Sequence, residues 1–361
     1  MGTVRHLRCL ILSLGLASLC AGAVAQPTAK LPPVTITGTQ VRDPVEKSYR
    51  KMVRGMDLFE RKHAMAPQAT LSFRLLPRKR NTDMNRIRVD VVGREVDFNV
   101  PVAPDGTFVL PRDRQALAED AVVTPNRRAQ TMTWRTEIRT PGLPPSTRRL
   151  GDLRLECEVG MEAGLISNNR SLFDRITDMI FAPDTPDYCN RKGQRYLFFA
   201  ERPIYNVTLV DGERRQVVPI DRLYAGASAD PNLPAELPFC DCEVLLDRTY
   251  YMPLGDRAWP DDTLVEFEFM DDPPRAPAVA ETAALPGALD AVAIGSSTRA
   301  DLAAALGPLT TMRFDNGYAV AVHRGPPLRK DGDAPELVVL FSPSGQAVKA
   351  RVRPAQDNPP S

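Results

Sequence analysis

Few side chains in this chain could do proton-transfer or covalent chemistry, and they are not spaced as a catalytic set requires. There are three histidines, His6, His63 and His323, and six cysteines in 361 residues. Nucleophilic catalysis needs a nucleophile, a base within hydrogen-bond reach and a group that orients the base. His63 closes a basic stretch and His323 lies in an alternating apolar segment far along the chain. No Gly-x-Ser-x-Gly, His-Glu-x-x-His or phosphate-loop pattern occurs. Ser296-Ser297 after Gly295 is explained by helix capping. Asp261-Asp262 are neighbours on a predicted strand and point to opposite sides. They are therefore not a pair that could flank one glycosidic bond. The expectation is a chain without catalytic, cofactor-binding or metal-ligating residues, and not an enzyme. The alternative is a hydrolase acting on glycan or peptidoglycan, with carboxylates converging from different strands.

The cysteines need a compartment before they can be interpreted. Arg5, His6 and Arg8, then the apolar run Cys9–Cys20, then Ala23-Val24-Ala25 have the layout of a secretory signal peptide over residues 1–25. Cleavage is expected between Ala25 and Gln26, giving a periplasmic chain. The alternative is lipidation at Cys20 after Leu16-Ala17-Ser18-Leu19, giving an outer-membrane lipoprotein. Four cysteines remain, Cys157, Cys189, Cys240 and Cys242, and in an oxidising compartment four favour two disulfides. Joining Cys240 to Cys242 would close a very small, strained ring. The expected pairing is Cys157 and Cys189, each with one of Cys240 and Cys242. Cys-x-Cys with only His63 and His323 elsewhere lacks zinc-site spacing.

The scaffold shows an internal repetition. Asp105-Gly106-Thr107-Phe108-Val109-Leu110-Pro111 is echoed by Asp247-Arg248-Thr249-Tyr250-Tyr251-Met252-Pro253. Each copy leads to an acidic pair and an apolar strand, Glu119-Asp120-Ala121-Val122-Val123 and Asp261-Asp262-Thr263-Leu264-Val265. A constant offset of 142 carries one onto the other. Val89–Val92 and Val100–Val102 match Val207–Val210 and Val218–Ile220 at an offset of 118. The difference of 24 is an insertion near Ala225–Glu243, which holds Cys240 and Cys242. In both copies Asp begins a turn, Thr107 or Thr249 and the aromatic Phe108 or Tyr250 enter a strand, and Pro111 or Pro253 ends it. Calcium ligation by Asp105 and Asp247 is disfavoured, since no dense acidic loop surrounds them.

These signals divide the chain into a strand and helix over 34–65, a first β repeat over 66–139 and an inter-repeat segment over 140–194. A second repeat over 195–271, a Pro/Ala linker over 272–285 and a small α+β module over 286–353 follow. The first helix is expected from an Asp43 cap to about His63. The first repeat has strands at Thr70–Leu75, Ile87–Val92, Val96–Val102, Thr107–Leu110, Ala121–Thr124 and Thr131–Ile138. Between the repeats, Leu153–Val159 alternates like a strand and Ser171–Phe181 has helical spacing. The last module has a short helix at Ala288–Ala293 and a second helix opened by a Thr298/Asp301 capping box. Strands follow at Thr310–Phe314, Tyr318–His323, Glu336–Ser342 and Ala347–Val352. The fold class is mainly β with a small α+β module: tandem antiparallel sandwich-like repeats, an N-terminal helix and a C-terminal two-helix and sheet domain.

Two resemblances follow from these motifs. Val91-Val92-Gly93 with Asp105-Gly106-Thr107-Phe108 resembles transthyretin-like or carboxypeptidase-regulatory-like sandwich domains over about 70 residues. Ile294-Gly295-x-Ser297-x-x-x-Asp301-Leu302 with Leu306-Gly307-Pro308, before a small antiparallel sheet, resembles the SmpA/OmlA (BamE-like) domain over about 65 residues. Members of that family sit in the bacterial envelope and act through protein contacts in outer-membrane assembly. The resemblance implies an envelope binding or scaffold protein whose partner is another envelope protein. Residues 40–155 hold 23 Lys/Arg against 14 Asp/Glu, a balance of +9, and 156–361 hold 20 against 31, a balance of −11. The basic half could contact an anionic envelope surface, or the two halves could simply face one another. Nucleic acid is not an expected partner, because aromatic interleaving is lacking.

Overall fold

A computed structural model describes residues 46–77, 80–127, 131–165, 186–192, 195–226, 245–274, 285, 287–327 and 333–355. The signal segment with Cys20, Ala25 and Gln26, the strand expected at 34–39, the helix expected at 171–181, and Cys240 and Cys242 lie outside them.

The first helix begins later than its sequence suggests. Lys47–Ser48 forms a short strand (β1) and α1 runs Tyr49–Lys62. Ser48 is the cap: its Oγ accepts from Lys51 N at 3.1 Å and donates to Asp120 Oδ1 at 2.7 Å. A start at Asp43 is excluded because residues 47–48 are held extended opposite Val123 and Val122. The helix buries Tyr49, Met52, Val53 and Leu58 on one face and ends with Arg61 and Lys62, which suit the negative end of its dipole.

After α1 come β2 (Thr70–Pro77), β3 (Val89–Val92), β4 (Asp97–Val100), β5 (Thr107–Phe108), α2 (Arg114–Glu119), β6 (Val122–Pro125) and β7 (Met132–Arg139). The strands form two sheets, ordered β1-β6-β3-β4 and β5-β2-β7. Between them lies one apolar cluster that includes Tyr49, Phe73, Val91, Phe108, Val123 and Trp134. The short helix α2, capped by Asp113, was not expected from sequence.

Leu153–Val159, expected as a strand, is part of helix α3 (Leu150–Glu162), preceded by β8 (Thr147–Arg149). The alternation is misleading because this helix is buried all round, from Leu150 to Met161. Its charged residues sit at alternate positions but each is bonded inside the protein. Asp152 accepts from the Thr140 amide and hydroxyl, and Glu156 binds Arg148 at 2.6 Å. Glu158 binds Lys62 at 2.5 Å. A fully wrapped helix has no polar stripe to reveal its 3.6-residue period.

Next come β9 (Phe198–Phe199), β10 (Ile204–Asp211), β11 (Arg214–Val217), β12 (Thr249–Tyr250) and β13 (Leu264–Phe269). Their sheets, β11-β10-β13-β8 and β12-β9, reproduce β4-β3-β6-β1 and β5-β2 in order, and among the described residues no strand takes the place of β7. The registers match residue for residue. Asp90↔Asn99 and Asp90↔Thr124 become Thr208↔Val217 and Thr208↔Glu266, at offsets of 118 and 142. Ser48↔Val122 becomes Arg149↔Leu264, an offset of 101 on the first member. Phe73↔Phe108 becomes Phe198↔Tyr250, an offset of 125. Single backbone bonds recur too: Tyr49 N to Ala121 O at 2.9 Å is echoed by Leu150 N to Thr263 O at 2.8 Å. The second copy therefore opens with β8 and α3, which sequence reading places between the repeats. Two insertions distinguish it: the offset grows by 24, from 101 to 125, between α3 and β9, and by 24 again, from 118 to 142, between β11 and β12.

The two equivalent helices touch directly. A Cβ on Gly55 of α1 would lie 2.8 Å from Ala163 Cβ and 3.1 Å from Val159 O, so only glycine permits this approach to α3.

The last module contains α4 (Arg299–Leu306), with the expected Thr298/Asp301 capping box, and the sheet β14 (Thr310–Arg313), β15 (Ala319–Arg324), β16 (Glu336–Phe341) and β17 (Ala347–Arg353). Ala288–Ala293 is a run of turns, not the short helix its composition suggests. One sheet face, with Leu337, Val339, Phe341 and Val352, packs with Leu302 of α4. On the other, Val320, Val322, Val338 and Leu340 share a core with Tyr205, Val207 and Leu209 of the second copy. The architecture is mainly β, with antiparallel sheets throughout and a small α+β module.

Candidate functional site

The repeated motif serves the turn in its first copy. Asp105 Oδ1 accepts from the Thr107 amide at 3.0 Å and hydroxyl at 2.6 Å, and Oδ2 accepts from Arg74 at 3.0 Å. Partial burial would raise this carboxyl, but the Thr107 groups and Arg74 hold it below its ordinary range. Gly106, at φ +82°, has no room for a side chain: a Cβ would meet Leu75 O at 2.5 Å. Phe108 stacks on Phe73, and Pro111 O accepts the Tyr49 hydroxyl at 2.5 Å.

The second copy keeps the frame and changes the contacts. Tyr250 stacks on Phe198 as Phe108 does on Phe73. The Thr249 hydroxyl donates to Leu246 O at 2.8 Å, and Pro253 O accepts from Asp256 N at 3.0 Å. Asp247, however, is buried. Its Oδ2 accepts from Asn316 Nδ2 at 2.8 Å, and among the described residues its Oδ1 has no hydrogen-bond partner. Burial pushes this carboxyl up, with Arg248 opposing and Asp315 adding to the shift.

Asn316 belongs to the β14–β15 turn, so Asp247 marks the seam between the second copy and the C-terminal sheet. Tyr205 of β10 donates its hydroxyl to Val338 O of β16 at 3.0 Å. Tyr224 donates to Ile204 O at 2.8 Å, and its ring centroid lies 4.8 Å from that of Phe314. Tyr224 and Ala225 both adopt left-handed backbone, φ 56° and 54°. Two consecutive non-glycine residues there are strained, and such strain persists only where surrounding structure enforces it. From β17, Lys349 reaches Glu268 at 2.9 Å and Phe269 O at 2.8 Å. Arg353 binds Asp333 and Glu336. Arg351, between them, is buried, and among the described residues none of its guanidinium nitrogens has a hydrogen-bond partner.

Sequence reading did not single out Tyr205, Tyr224, Asn316 or Arg351. Lys349-x-Arg351-x-Arg353 between Ala and Val is the one visible signal: three cations on one face of a strand, as period-two geometry requires.

The cysteine pairing differs from expectation. Cys157 of α3 is joined to Cys189, with Cα atoms 6.0 Å apart, so neither is available to Cys240 or Cys242. Cys189 falls in the first insertion of the second copy, which is thereby tied to the helix that opens that copy.

Other chemically capable residues have structural partners. His63 Nε2 lies 2.9 Å from Ala69 O. Ser297 Oγ accepts from Ala293 N at 2.9 Å. Asp261 binds Arg154 at 2.5 Å. Between the copies, Arg74, Glu137, Arg139, Arg148, Glu156 and Glu201 form a charge network. Burial pushes Glu156 up, with Glu137 adding to the shift. Arg148, Arg139 and Arg74 hold Glu137 down against its own burial. Among the described residues no group of three or more His, Cys, Asp or Glu could hold a metal ion, and no helix is long and apolar enough to cross a membrane.

No family model, curated protein or solved structure matches this chain.

Proposed function

We propose that this chain is an exported cell-envelope protein that binds or scaffolds other envelope proteins and does not act by catalysis. The observation that carries the reading is the duplication of an edge. β4 and β11 end equivalent four-stranded sheets and are related by the 118 offset. Each therefore offers one strand border to a partner, and strand addition at such a border is a recurrent mode of protein recognition. The motif Asp105–Pro111 holds the turn into β5 through Asp105, while in its twin Thr249 bonds the turn into β12 and Asp247 is bonded to Asn316. The resemblance of the last module to a BamE-like domain supports an envelope role. The disulfide of Cys157 and Cys189 supports an oxidising compartment.

The test places a photo-crosslinking residue at Asp97 on β4 and at its counterpart Arg215 on β11, in the full chain, within the envelope of the cell that makes it. One defined protein adduct from either edge, absent from a probe at the buried position Val91, is expected. Absence of any adduct at both edges would overturn the reading. Release of glycan fragments from peptidoglycan by the purified chain would overturn its non-catalytic part.

A further inference from the structure

Arg351 sets a chemical problem that the protein's own groups leave open. It lies on β17 opposite Val338, only 4% exposed, and among the described residues Nε, Nη1 and Nη2 all lack a hydrogen-bond partner. A guanidinium has five N–H donors in a planar fork and cannot lose its proton in a protein. It cannot relieve burial by becoming neutral, and burying an unpaired charge is costly.

The surroundings sharpen the problem. Four cations gather on this side of the module, Arg324, Lys349, Arg351 and Arg353, with three carboxylates, Glu268, Asp333 and Glu336. Each of these three carboxylates is bonded to a cation other than Arg351, and Asp247, the buried carboxylate that faces Tyr224 together with Arg351, is bonded to Asn316. The Arg351 guanidinium carbon lies 5.8 Å from the Tyr205 ring centroid. That ring is shared with Lys349 Nζ at 5.5 Å. A ring face attracts a cation but gives the five donors no in-plane acceptors. Beside Tyr205, the Ile204 carbonyl takes the hydroxyl of Tyr224, whose backbone is held in the left-handed region. Arg351 also lies near enough to Tyr224 to oppose the rise that burial imposes on its phenol.

We propose that Arg351 anchors a binding site for one oxyanion group of a small molecule, a carboxylate or a phosphate, against the rings of Tyr205 and Tyr224. An oxyanion supplies what the guanidinium lacks, two acceptor oxygens matched to its fork and carrying the opposite charge. Lys349 and Arg353 do not compete for it, since each already has a carboxylate. The assignment goes beyond the scaffold reading and does not depend on it.

The test is calorimetric titration of the full-length mature chain with inorganic phosphate and, separately, with acetate, in chloride at constant ionic strength. One saturable 1:1 event is expected with at least one of them. Saturation by phosphate alone marks a phosphate ligand, and by acetate alone a carboxylate. Arg351→Met should abolish the event, and Arg351→Lys should weaken it at least tenfold by removing the fork. A folding-independent readout is the side-chain Nε–H resonance of Arg351 in the wild type, assigned by its loss in Arg351→Lys, which should shift on addition of the binding anion. No saturable binding of either anion to the wild type, or unchanged binding by Arg351→Met, would overturn the proposal.

Discussion

The two copies of the repeat superimpose in register, yet they hold their equivalent residues by different chemistry. Asp105 lies at the surface in a ring of local bonds to Thr107 and Arg74, whereas Asp247 is buried and bonded to Asn316 of another module. Val53 of α1 is an ordinary core residue. Its counterpart at an offset of 101 is Arg154 of α3, buried and donating to Leu254 O, Asp256 O, Trp259 O and Asp261. Apart from the buried Arg74 and Glu137 of the shared charge network, the first copy is held by apolar packing and surface bonds. The second uses buried polar groups, a disulfide and a neighbouring sheet. A duplicated frame thus carries one copy that stays generic and one that has become a joint, and the specific chemistry collects at the joint.

Val53 and Arg154 are the equivalent residues whose loss should cost the two copies most unequally. Arg154→Met leaves a carboxylate and three carbonyls without their donor and should cost about 4 kcal/mol. Val53→Ala should cost about 2 kcal/mol, the scale of a few buried methyl groups. Both are read by denaturant unfolding, and equal losses would remove the contrast.

The disulfide comes next. Replacing Cys157 and Cys189 by serine should cost about 3 kcal/mol, since the bond closes a loop with a sequence separation of 32. Reductant should lower the stability of the wild type by a similar amount and leave the double variant unchanged. A wild type indifferent to reductant would mean that the insertion is not tied to α3 in solution.

The smallest effect separates the aspartates by sign. The Asp105 carboxyl titrates below its ordinary 3.8, so its contribution is present above that value and is lost as pH falls through the lowered one. Asp247 titrates above 3.8, so its contribution is complete below that value and is lost as pH rises through the raised one. Between pH 3 and pH 7, Asp105→Asn should therefore lose ground on the wild type, by well under about 1 kcal/mol because solvent screens this exposed carboxyl. Asp247→Asn should gain ground over the same interval. Stability curves moving in the same direction would contradict the different environments assigned to the two residues.

Much of this frame is legible from residue order, because alternation and turn residues act locally. The strands of the first repeat, the Thr298/Asp301 capping box and the sheet of the last module all lie where periodicity puts them. The failures share one cause, which is burial by distant parts of the chain. Leu153–Val159 alternates only because charges at Arg154, Glu156 and Glu158 find partners inside the core. Ser48 displaces Asp43 as a cap because β1 pairs with β6, some 75 residues onward. The Cys157–Cys189 bond depends on where α3 sits. Arg351 reads as one more surface cation until Tyr205, Lys349 and Arg353 are placed around it.

β8 and α3 open the second copy as β1 and α1 open the first, and paired cysteines can show it in solution. Tyr49 N bonds to Ala121 O and Leu150 N to Thr263 O, so Ser48/Val122 and Arg149/Leu264 are both non-hydrogen-bonded pairs, the closest type in an antiparallel ladder. Introducing cysteines at either pair, followed by mild oxidation and peptide mapping, should give the matching cross-link in both cases. The mixed pairs Ser48/Leu264 and Arg149/Val122 should give none. A cross-link at Ser48/Val122 without one at Arg149/Leu264 would contradict the duplication on which the account rests.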